Sequence, residues 1–210
     1  MTDNQQNKPD AAEHKKRMAE LKAAQQEKVK KADIERGILI VNTGHGKGKS
    51  SSAFGTAIRA AGHGQSVGIM QFIKGTWKTG EAEAFKRFPE IEHLVSGDGF
   101  TWNTQDMDED TASARHGWEK TQEMIERCRS DNPDYDLIIL DELNIALRYD
   151  YLDINEVVSA LQNKPEQLNI IVTGRDAKAE LIAIADTVTD MTMVKHAFEA
   201  GIRAQKGVEF

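Results

Sequence analysis

The segment VNTGHGKGKSSS, residues 41–52, constrains the fold of this 210-residue chain more than any other feature. It follows the short apolar run GILIV at residues 37–41, which is typical of a buried parallel strand. In residues 51–61 the apolar side chains recur every three or four positions, which predicts a helix. A strand, a glycine-rich turn and a helix in this order direct backbone N–H groups and a helix N-terminus toward one anion. The segment therefore predicts a phosphate-binding loop.

The spacing departs by one position from the P-loop pattern, which is Gly, four residues, then Gly-Lys and Ser or Thr. Gly48, Lys49 and Ser50 match the end of the pattern, but Thr43 stands where its first glycine is expected. We expect Lys49 to contact phosphate oxygens and the Ser50 hydroxyl to bind Mg²⁺. His45 either contacts phosphate or shapes the turn, and we favour the turn. The candidate nucleotide-binding residues of this segment are Gly44, His45, Gly46, Lys47, Gly48, Lys49, Ser50 and Ser51.

The second motif is an acidic one, LIILDE at residues 137–142. It resembles the strand that carries the metal-binding carboxylate of P-loop proteins. Asp141 or Glu142 would hold Mg²⁺ directly or through water, and the sequence does not decide between them. The alternative is an ordinary cap for the following helix. Together with the phosphate loop, the motif predicts that the chain binds a nucleoside triphosphate, with ATP as the expected one.

Apolar runs at residues 66–73, 91–96, 136–140, 169–174 and 187–194 alternate with helical patterns. This alternation predicts an α/β fold with a mostly parallel sheet flanked by helices. Together with the phosphate loop, it makes a P-loop NTPase core the expected fold. One of the predicted helices spans residues 155–163. Asp153, followed three positions later by Glu156, resembles a capping box for this helix.

The first 36 residues form a distinct polar arm in this interpretation. Residues 1–12 read as disordered, and residues 13–32 as a helix whose apolar stripe is too thin for independent stability. We therefore predict two parts: a helical arm at residues 1–36, which could act as an active-site lid, and a P-loop α/β catalytic domain at residues 37–210.

Composition narrows the class of protein. The arm carries nine Lys and Arg against seven Asp and Glu, so with a total of −7 the remaining residues carry −9. An acidic body argues against a nucleic-acid partner. No apolar run is long enough to cross a membrane, the N-terminus lacks a secretory signal, and a single cysteine excludes a disulfide framework. We expect a cytoplasmic protein with no membrane partner.

Five further segments resemble one known family. They are QFIKGTWKTGE, GDGFTWNTQD, LDELNIALRYDYL, VTGR and VKHAFEAGIRAQKGVEF, at residues 71–81, 97–106, 140–152, 172–175 and 194–210. Together with the TGHGKGKS form of the loop, they resemble the P-loop class of corrinoid adenosyltransferases. The resemblance extends from about residue 36 to residue 210, and the loop variant accounts for Thr43.

The resemblance implies a RecA-like core and an enzyme that transfers the 5′-deoxyadenosyl group of ATP to Co(I) of a reduced corrinoid, either cobalamin or cobinamide. It implies release of triphosphate and a role in adenosylcobalamin biosynthesis and corrinoid salvage. It also implies a homodimer and a flavoprotein electron donor. Magnesium is expected from the loop chemistry described above.

The resemblance also suggests roles for aromatic residues. Phe100 and Trp102 match the family's pair that forms an apolar wedge beneath the corrin ring and removes the axial ligand of Co(II). The alternative is that they pin their loop onto the sheet. Trp77 is expected to line the nucleotide or corrin, with loop packing as an equal alternative. Arg175 would reach triphosphate, or else lie on the surface. With Lys49, the two wedge residues are the predicted catalytic residues.

Two other functions remain open at the level of sequence. One is a P-loop NTPase or kinase acting on another substrate, in which Glu142 would orient water or a hydroxyl group. The other is a nucleotide-gated binding module whose basic arm contacts a partner. No convincing Ser-His-Asp or Cys-His arrangement is evident, which suits a reaction whose substrate supplies the nucleophile.

Overall fold

The computed structural model describes residues 10–72, 79–96 and 107–209. The chain divides into two compact units, with the boundary between Glu35 and Arg36. In the first unit, helix α1 (Ala11–Lys31) begins at Asp10, whose Oδ1 accepts a hydrogen bond from the Ala12 N–H at 3.2 Å. None of the side chains of α1 is buried, so its own propensity and its cap support it rather than a core.

The second unit is built on one six-stranded sheet with the order β3-β2-β4-β5-β1-β6. All its strand pairs are parallel. The strands are β1 (Leu39–Thr43), β2 (Val67–Gln71), β3 (Ile91–Val95), β4 (Leu137–Asp141), β5 (Asn169–Thr173) and β6 (Thr187–Asp190). The helices are α2 (Lys49–Gly62), α3 (Gly80–Phe85), α4 (Met107–Arg127), α5 (Leu143–Arg148), α6 (Ile154–Gln162) and α7 (Ala179–Ile184), followed by a 3₁₀ turn at Ala197–Ala200.

Helices cover both faces of the sheet. Successive side chains of a strand point to opposite sides, so the apolar strands present a hydrophobic surface on each face. In β4, Ile138 and Leu140 join the core beneath α4 to α7. Leu137 and Ile139 join the second core, beneath α2 and α3. Two apolar layers therefore pack the sheet against its helices, and polar residues lie at the ends of the strands.

The strand order brings the two predicted motifs to the same edge of the sheet. The phosphate loop follows β1, and the acidic pair lies at the end of β4. Strand β5 lies between β1 and β4, with Asn42 of β1 in register with Thr173 and Leu140 of β4 in register with Val172. Ligands of open parallel sheets bind outside the carboxyl ends of the strands, so this edge is the expected site.

The predicted fold class is confirmed: the sheet is entirely parallel and flanked by helices, as in a P-loop NTPase core. The last strand is shorter than the predicted range of 187–194 and ends at Asp190. The Met191 N–H donates to the Thr43 carbonyl at 2.9 Å, and the Met191 carbonyl accepts from the Gly46 N–H. The chain thus leaves the sheet at Met191 and packs against the phosphate loop.

Some sequence predictions fall outside the described residues, namely those for Trp77, Phe100 and Trp102. Within residues 10–72, 79–96 and 107–209, no helix is both long and apolar enough to span a membrane.

Candidate nucleotide-binding site

The phosphate loop depends on glycine at the position that follows β1. Gly44 has a φ of 95°, and a Cβ there would lie 2.2 Å from Asp190 Oδ1 and 2.6 Å from the Met191 carbonyl oxygen. Gly48 has a φ of 110° and lies directly before the first residue of α2. Both positions are left-handed, a conformation that costs little only for glycine. The backbone therefore turns sharply twice between β1 and α2.

Thr43 departs from the P-loop pattern for a structural reason. It is the last residue of β1, and its buried hydroxyl accepts a hydrogen bond from the Ala177 N–H at 3.0 Å. The left-handed turn begins one residue later, at Gly44, so a glycine at position 43 is not needed. The threonine instead joins the loop to the segment that follows β5.

Lys49, the first residue of α2, is buried beside the loop. Its exposed fraction is 7%, and its Nζ donates to the Gly46 carbonyl at 2.6 Å. Burial lowers the pKa of Lys49, and the nearby charges of Arg175 and Lys47 act in the same direction, while Glu142 opposes them. A bound anion would favour the charged form of this amine. The electrostatics of the site thus suit a polyphosphate.

A cavity of about 610 Å³ opens in front of Lys49. This volume is in the range of small-molecule sites. Its lining consists of the loop, one face of α3, Glu142 and a C-terminal segment, with the residues Lys47, Gly48, Lys49, Ser50, Ser51, Gly80, Glu81, Ala84, Glu142, Gly207, Val208 and Glu209. Lys47 Nζ forms an ion pair with Glu209 Oε2, which lowers the pKa of that carboxyl group.

The two carboxylates after β4 occupy different environments. Asp141 is fully buried; its Oδ2 accepts from Gln71 Nε2 at 2.8 Å, and its Oδ1 accepts from Thr173 Oγ1 at 2.7 Å. Glu142 has a left-handed backbone with a φ of 61° and lines the cavity. The structure therefore presents Glu142 to a ligand and engages both oxygens of Asp141 with protein donors.

The oxygen donors at the cavity wall fit Mg²⁺. The described part of the chain contains no group of three or more His, Cys, Asp or Glu side chains that could enclose a metal ion. Mg²⁺ is commonly held by one or two protein oxygens together with water and substrate phosphates. The Ser50 hydroxyl and the Glu142 carboxylate, both at the cavity wall, provide oxygens of this kind.

The turn after β5 lies against the phosphate loop. The His45 Nε2 atom is 3.1 Å from Asp176 Oδ1, and the other oxygen of Asp176 is 2.8 Å from Arg148. Arg175 is exposed, and the described residues provide no salt-bridge partner for it. Its positive charge nevertheless contributes to the lowered pKa of Lys49. His45 thus ties the loop to this turn, and the Arg175 guanidinium lies at the same sheet edge.

Sequence reasoning missed several residues that shape the site. Gln71 and Thr173 bind Asp141, Met191 closes on the loop, and Glu209 pairs with Lys47. Gln71 and Thr173 did carry a signal, since each is a polar residue at the end of an apolar strand. Met191 and Glu209 are far from the loop in sequence. Glu209 lies in one of the segments that carry the family resemblance, but its sequence did not indicate a contact with Lys47.

These features define a P-loop type of nucleotide-binding α/β protein. Comparison with known proteins specifies it further. Residues 35–210 match the family described as ATP:corrinoid adenosyltransferase BtuR/CobO/CobP, and the chain belongs to this family of enzymes.

Three relatives illustrate how much of the chain is shared, and each carries the name corrinoid adenosyltransferase. The Pseudomonas aeruginosa protein is 50% identical over 198 residues, covering 94% of this chain and 95% of that protein. A Sinorhizobium protein is 46% identical, covering 96% of this chain and 93% of its own. The Escherichia coli K12 protein is 43% identical, covering 94% and 97%.

Proposed function

We propose that this enzyme transfers the 5′-deoxyadenosyl group of ATP to the Co(I) centre of a reduced corrinoid and releases triphosphate. Its role would be in adenosylcobalamin biosynthesis and corrinoid salvage. The observation that carries the proposal is the phosphate loop with Lys49 buried at the cavity wall, in a chain that belongs to the corrinoid adenosyltransferase family.

The reaction is a substitution at the ribose C5′ carbon. The electron pair of Co(I) forms the Co–C bond, and cobalt becomes formally Co(III). The C5′–O bond breaks, and triphosphate leaves with the electron pair of that bond. The corrinoid is itself the nucleophile, so the protein needs neither a general base nor a nucleophilic side chain.

The protein has two tasks in this reaction. They are to hold C5′ in line between cobalt and the leaving oxygen and to stabilise the charge that develops on triphosphate. We assign the second task to Lys49, to the N–H groups of the loop and to Arg175. The side chain of Lys47, which pairs with Glu209, would exchange that partner for phosphate.

We propose Mg²⁺ as the metal of this site, held by the Ser50 hydroxyl and the Glu142 carboxylate. Asp141 would support the site without contacting the metal, since both of its oxygens accept hydrogen bonds from protein side chains. When bound, the ion neutralises charge on the leaving triphosphate.

The direct test is anaerobic incubation of the protein with ATP, Mg²⁺ and chemically reduced cobalamin. We expect the absorbance change of Co–C bond formation, together with stoichiometric triphosphate. Formation of ADP and phosphate without adenosylated corrinoid would instead assign the chain to NTPase or kinase chemistry. Repeating the assay with cobinamide would show which corrinoid is preferred.

The wedge role of Phe100 and Trp102 stays a prediction from sequence. We expect Trp102→Ala to weaken the four-coordinate Co(II) signal of cob(II)alamin in the presence of ATP, because the apolar surface that excludes the axial ligand is reduced. Electron paramagnetic resonance and magnetic circular dichroism report this state directly. Trp118→Phe, which changes a buried tryptophan of α4, serves as the control. An undiminished signal in Trp102→Ala would remove Trp102 from this role.

We also propose that the arm at residues 1–36 covers bound corrinoid as a lid. Helix α1 has no buried side chain, so it lacks the apolar support that usually stabilises a helix in a folded protein. Deletion of residues 1–30 should then weaken corrinoid binding and lower turnover while ATP affinity stays unchanged. Unchanged corrinoid affinity and turnover in the truncated protein would exclude a lid.

Three further proposals follow from the sequence. Two of them, a homodimer and a flavoprotein as the electron donor for Co(II), rest on the family resemblance; the third, a cytoplasmic location, rests instead on the sequence features described above. Sedimentation of the purified protein tests the first, and reconstitution with a reduced flavoprotein in place of a chemical reductant tests the second.

A further inference from the structure

Four polar side chains form a continuous row across the carboxyl edge of the sheet, which we call the buried polar row: His93, Gln71, Asp141 and Thr173. They lie on β3, β2, β4 and β5, which are neighbours in that order in the sheet. His93 Nε2 lies 2.7 Å from Gln71 Oε1, and the next two hydrogen bonds, to the two oxygens of Asp141, are 2.8 and 2.7 Å long. Gln71, Asp141 and Thr173 are each at most 2% exposed.

The hydrogen bonds of the row have a fixed direction. A carboxylate oxygen only accepts, so Gln71 must present its NH₂ group to Asp141. The Gln71 oxygen then faces His93, whose Nε2 atom must carry a proton. Since each amide and hydroxyl group has one compatible orientation, Asp141 is held from both sides by donors that cannot swap roles.

The last member of the row reaches the cavity through Glu142. The Thr173 hydroxyl donates to Asp141 and also accepts from the Glu142 N–H at 3.0 Å. This contact holds Glu142 at the point where its backbone is left-handed, a conformation that a non-glycine residue adopts at a cost. One hydroxyl group thus contacts both the buried carboxylate of Asp141 and the backbone of Glu142, the acidic residue that lines the cavity.

Gly174, the residue after Thr173, lies beside the Glu142 carboxylate. Gly174 has a φ of 127°, and a Cβ at this position would lie 3.2 Å from Glu142 Oε2 and 2.8 Å from the Cβ of Asn144. The Nδ2 atom of Asn144 donates to the Gly174 carbonyl at 2.9 Å. Thr173 at the end of β5 therefore positions the Glu142 backbone, and Gly174, the next residue, forms the surface against which the Glu142 carboxylate lies.

We infer that the buried polar row is the positioning device of the metal–triphosphate site, with Thr173 as its decisive member. Thr173 and Gln71 are positioning residues, because they act through Asp141 and Glu142 and do not line the cavity. The inference rests on the proposed function for the identity of the ligand, a divalent metal bound with ATP. It predicts that the row governs metal-dependent nucleotide binding more than nucleotide binding itself.

The test compares Thr173→Val, which removes the hydroxyl at nearly constant volume, with Thr173→Ser, which keeps it. Bound Mn²⁺ is measured by electron paramagnetic resonance in the presence of ATP, and ATP affinity without metal is measured by calorimetry in EDTA. Outer partners of metal ligands typically contribute a factor of about 10 to 100 in metal affinity. We expect a loss of this size for Mn²⁺ in Thr173→Val, a metal-free ATP affinity within about twofold of the parent, and recovery in Thr173→Ser.

A matched control separates positioning from general packing. Thr121 of α4 is also fully buried, and its hydroxyl donates to the Gly117 carbonyl in the same helix. Thr121→Val removes an equally buried hydroxyl away from the site, so it should leave Mn²⁺ binding unchanged. Gln71→Leu is a second variant of the row and should also lose Mn²⁺ affinity, because it removes the other donor to Asp141. It provides the test if Thr173→Val folds poorly.

Two results would overturn the inference. One is a Mn²⁺ affinity of Thr173→Val that equals that of the parent protein. The other is a loss of ATP affinity in EDTA as large as the loss of Mn²⁺ affinity. Neither depends on corrinoid chemistry. Failure of the parent protein to form a Co–C bond would reject the proposed function instead, so the two ideas fail separately.

Discussion

Lys49→Ala is expected to lower kcat/KM for ATP by roughly 100- to 1,000-fold, the usual cost of losing one preorganised charge at a transition state. The Nζ of Lys49 is buried at the phosphate loop, where it donates to the Gly46 carbonyl. Because burial disfavours its charge, its removal should cost little thermal stability. Turnover with reduced cobalamin, ATP calorimetry and thermal melting together measure the three parts of this prediction.

Lys86→Ala is the control for the Lys49 variant. Lys86 is exposed at the end of α3 and pairs only locally, with Glu83 at 2.7 Å. Its substitution should change neither turnover nor ATP affinity. If Lys49→Ala bound and converted ATP as well as the parent protein, the phosphate loop would have been misassigned.

Gly44→Ala is expected to damage both stability and nucleotide binding. The new methyl group would meet Asp190 and the Met191 carbonyl in a backbone conformation that alanine avoids. A left-handed residue and an overpacked contact together cost roughly 2–4 kcal/mol of unfolding free energy. We expect ATP affinity to fall by more than tenfold, since relief of the contact must move the loop that binds phosphate.

Gly55→Ala is the matched variant for this substitution. Gly55 lies in α2, and a Cβ there would have no neighbour within 4 Å. Alanine is the better helix former, so this change should stabilise the protein by about 0.5–1 kcal/mol and leave ATP affinity unchanged. Chemical denaturation compares the two, and equal stability of both variants would show that the Gly44 turn is not constrained.

The parts of the site that sequence alone predicted are those encoded by neighbouring residues. The phosphate loop could be predicted because glycine freedom, lysine charge and a strand-to-helix transition all occur within one dozen residues. The choice between Asp141 and Glu142 could not be made, since the two carboxylates are adjacent in sequence at the end of the same apolar run. The contacts that separate them come from Gln71 and Thr173, which parallel pairing brings to β4 from distant parts of the chain.

The capping box at α6 shows the same limit on a smaller scale. Asp153 does cap the helix, accepting from the Asn155 N–H at 2.8 Å. The Glu156 carboxylate instead accepts from Trp118 Nε1 at 2.8 Å, a residue of α4. A tertiary partner outcompeted the local one, and no pattern within the helix could have indicated it.

The hydrogen bond from the Gly46 N–H to the Met191 carbonyl affects when the nucleotide loop can form during protein synthesis. A ribosome makes the nucleotide loop early, but β5 and β6, the two neighbours of β1, emerge only much later. The nascent polypeptide therefore carries a glycine-rich, unpaired loop through most of its synthesis. The nucleotide loop would therefore gain its contacts with Met191 only after the last strand of the sheet has been made.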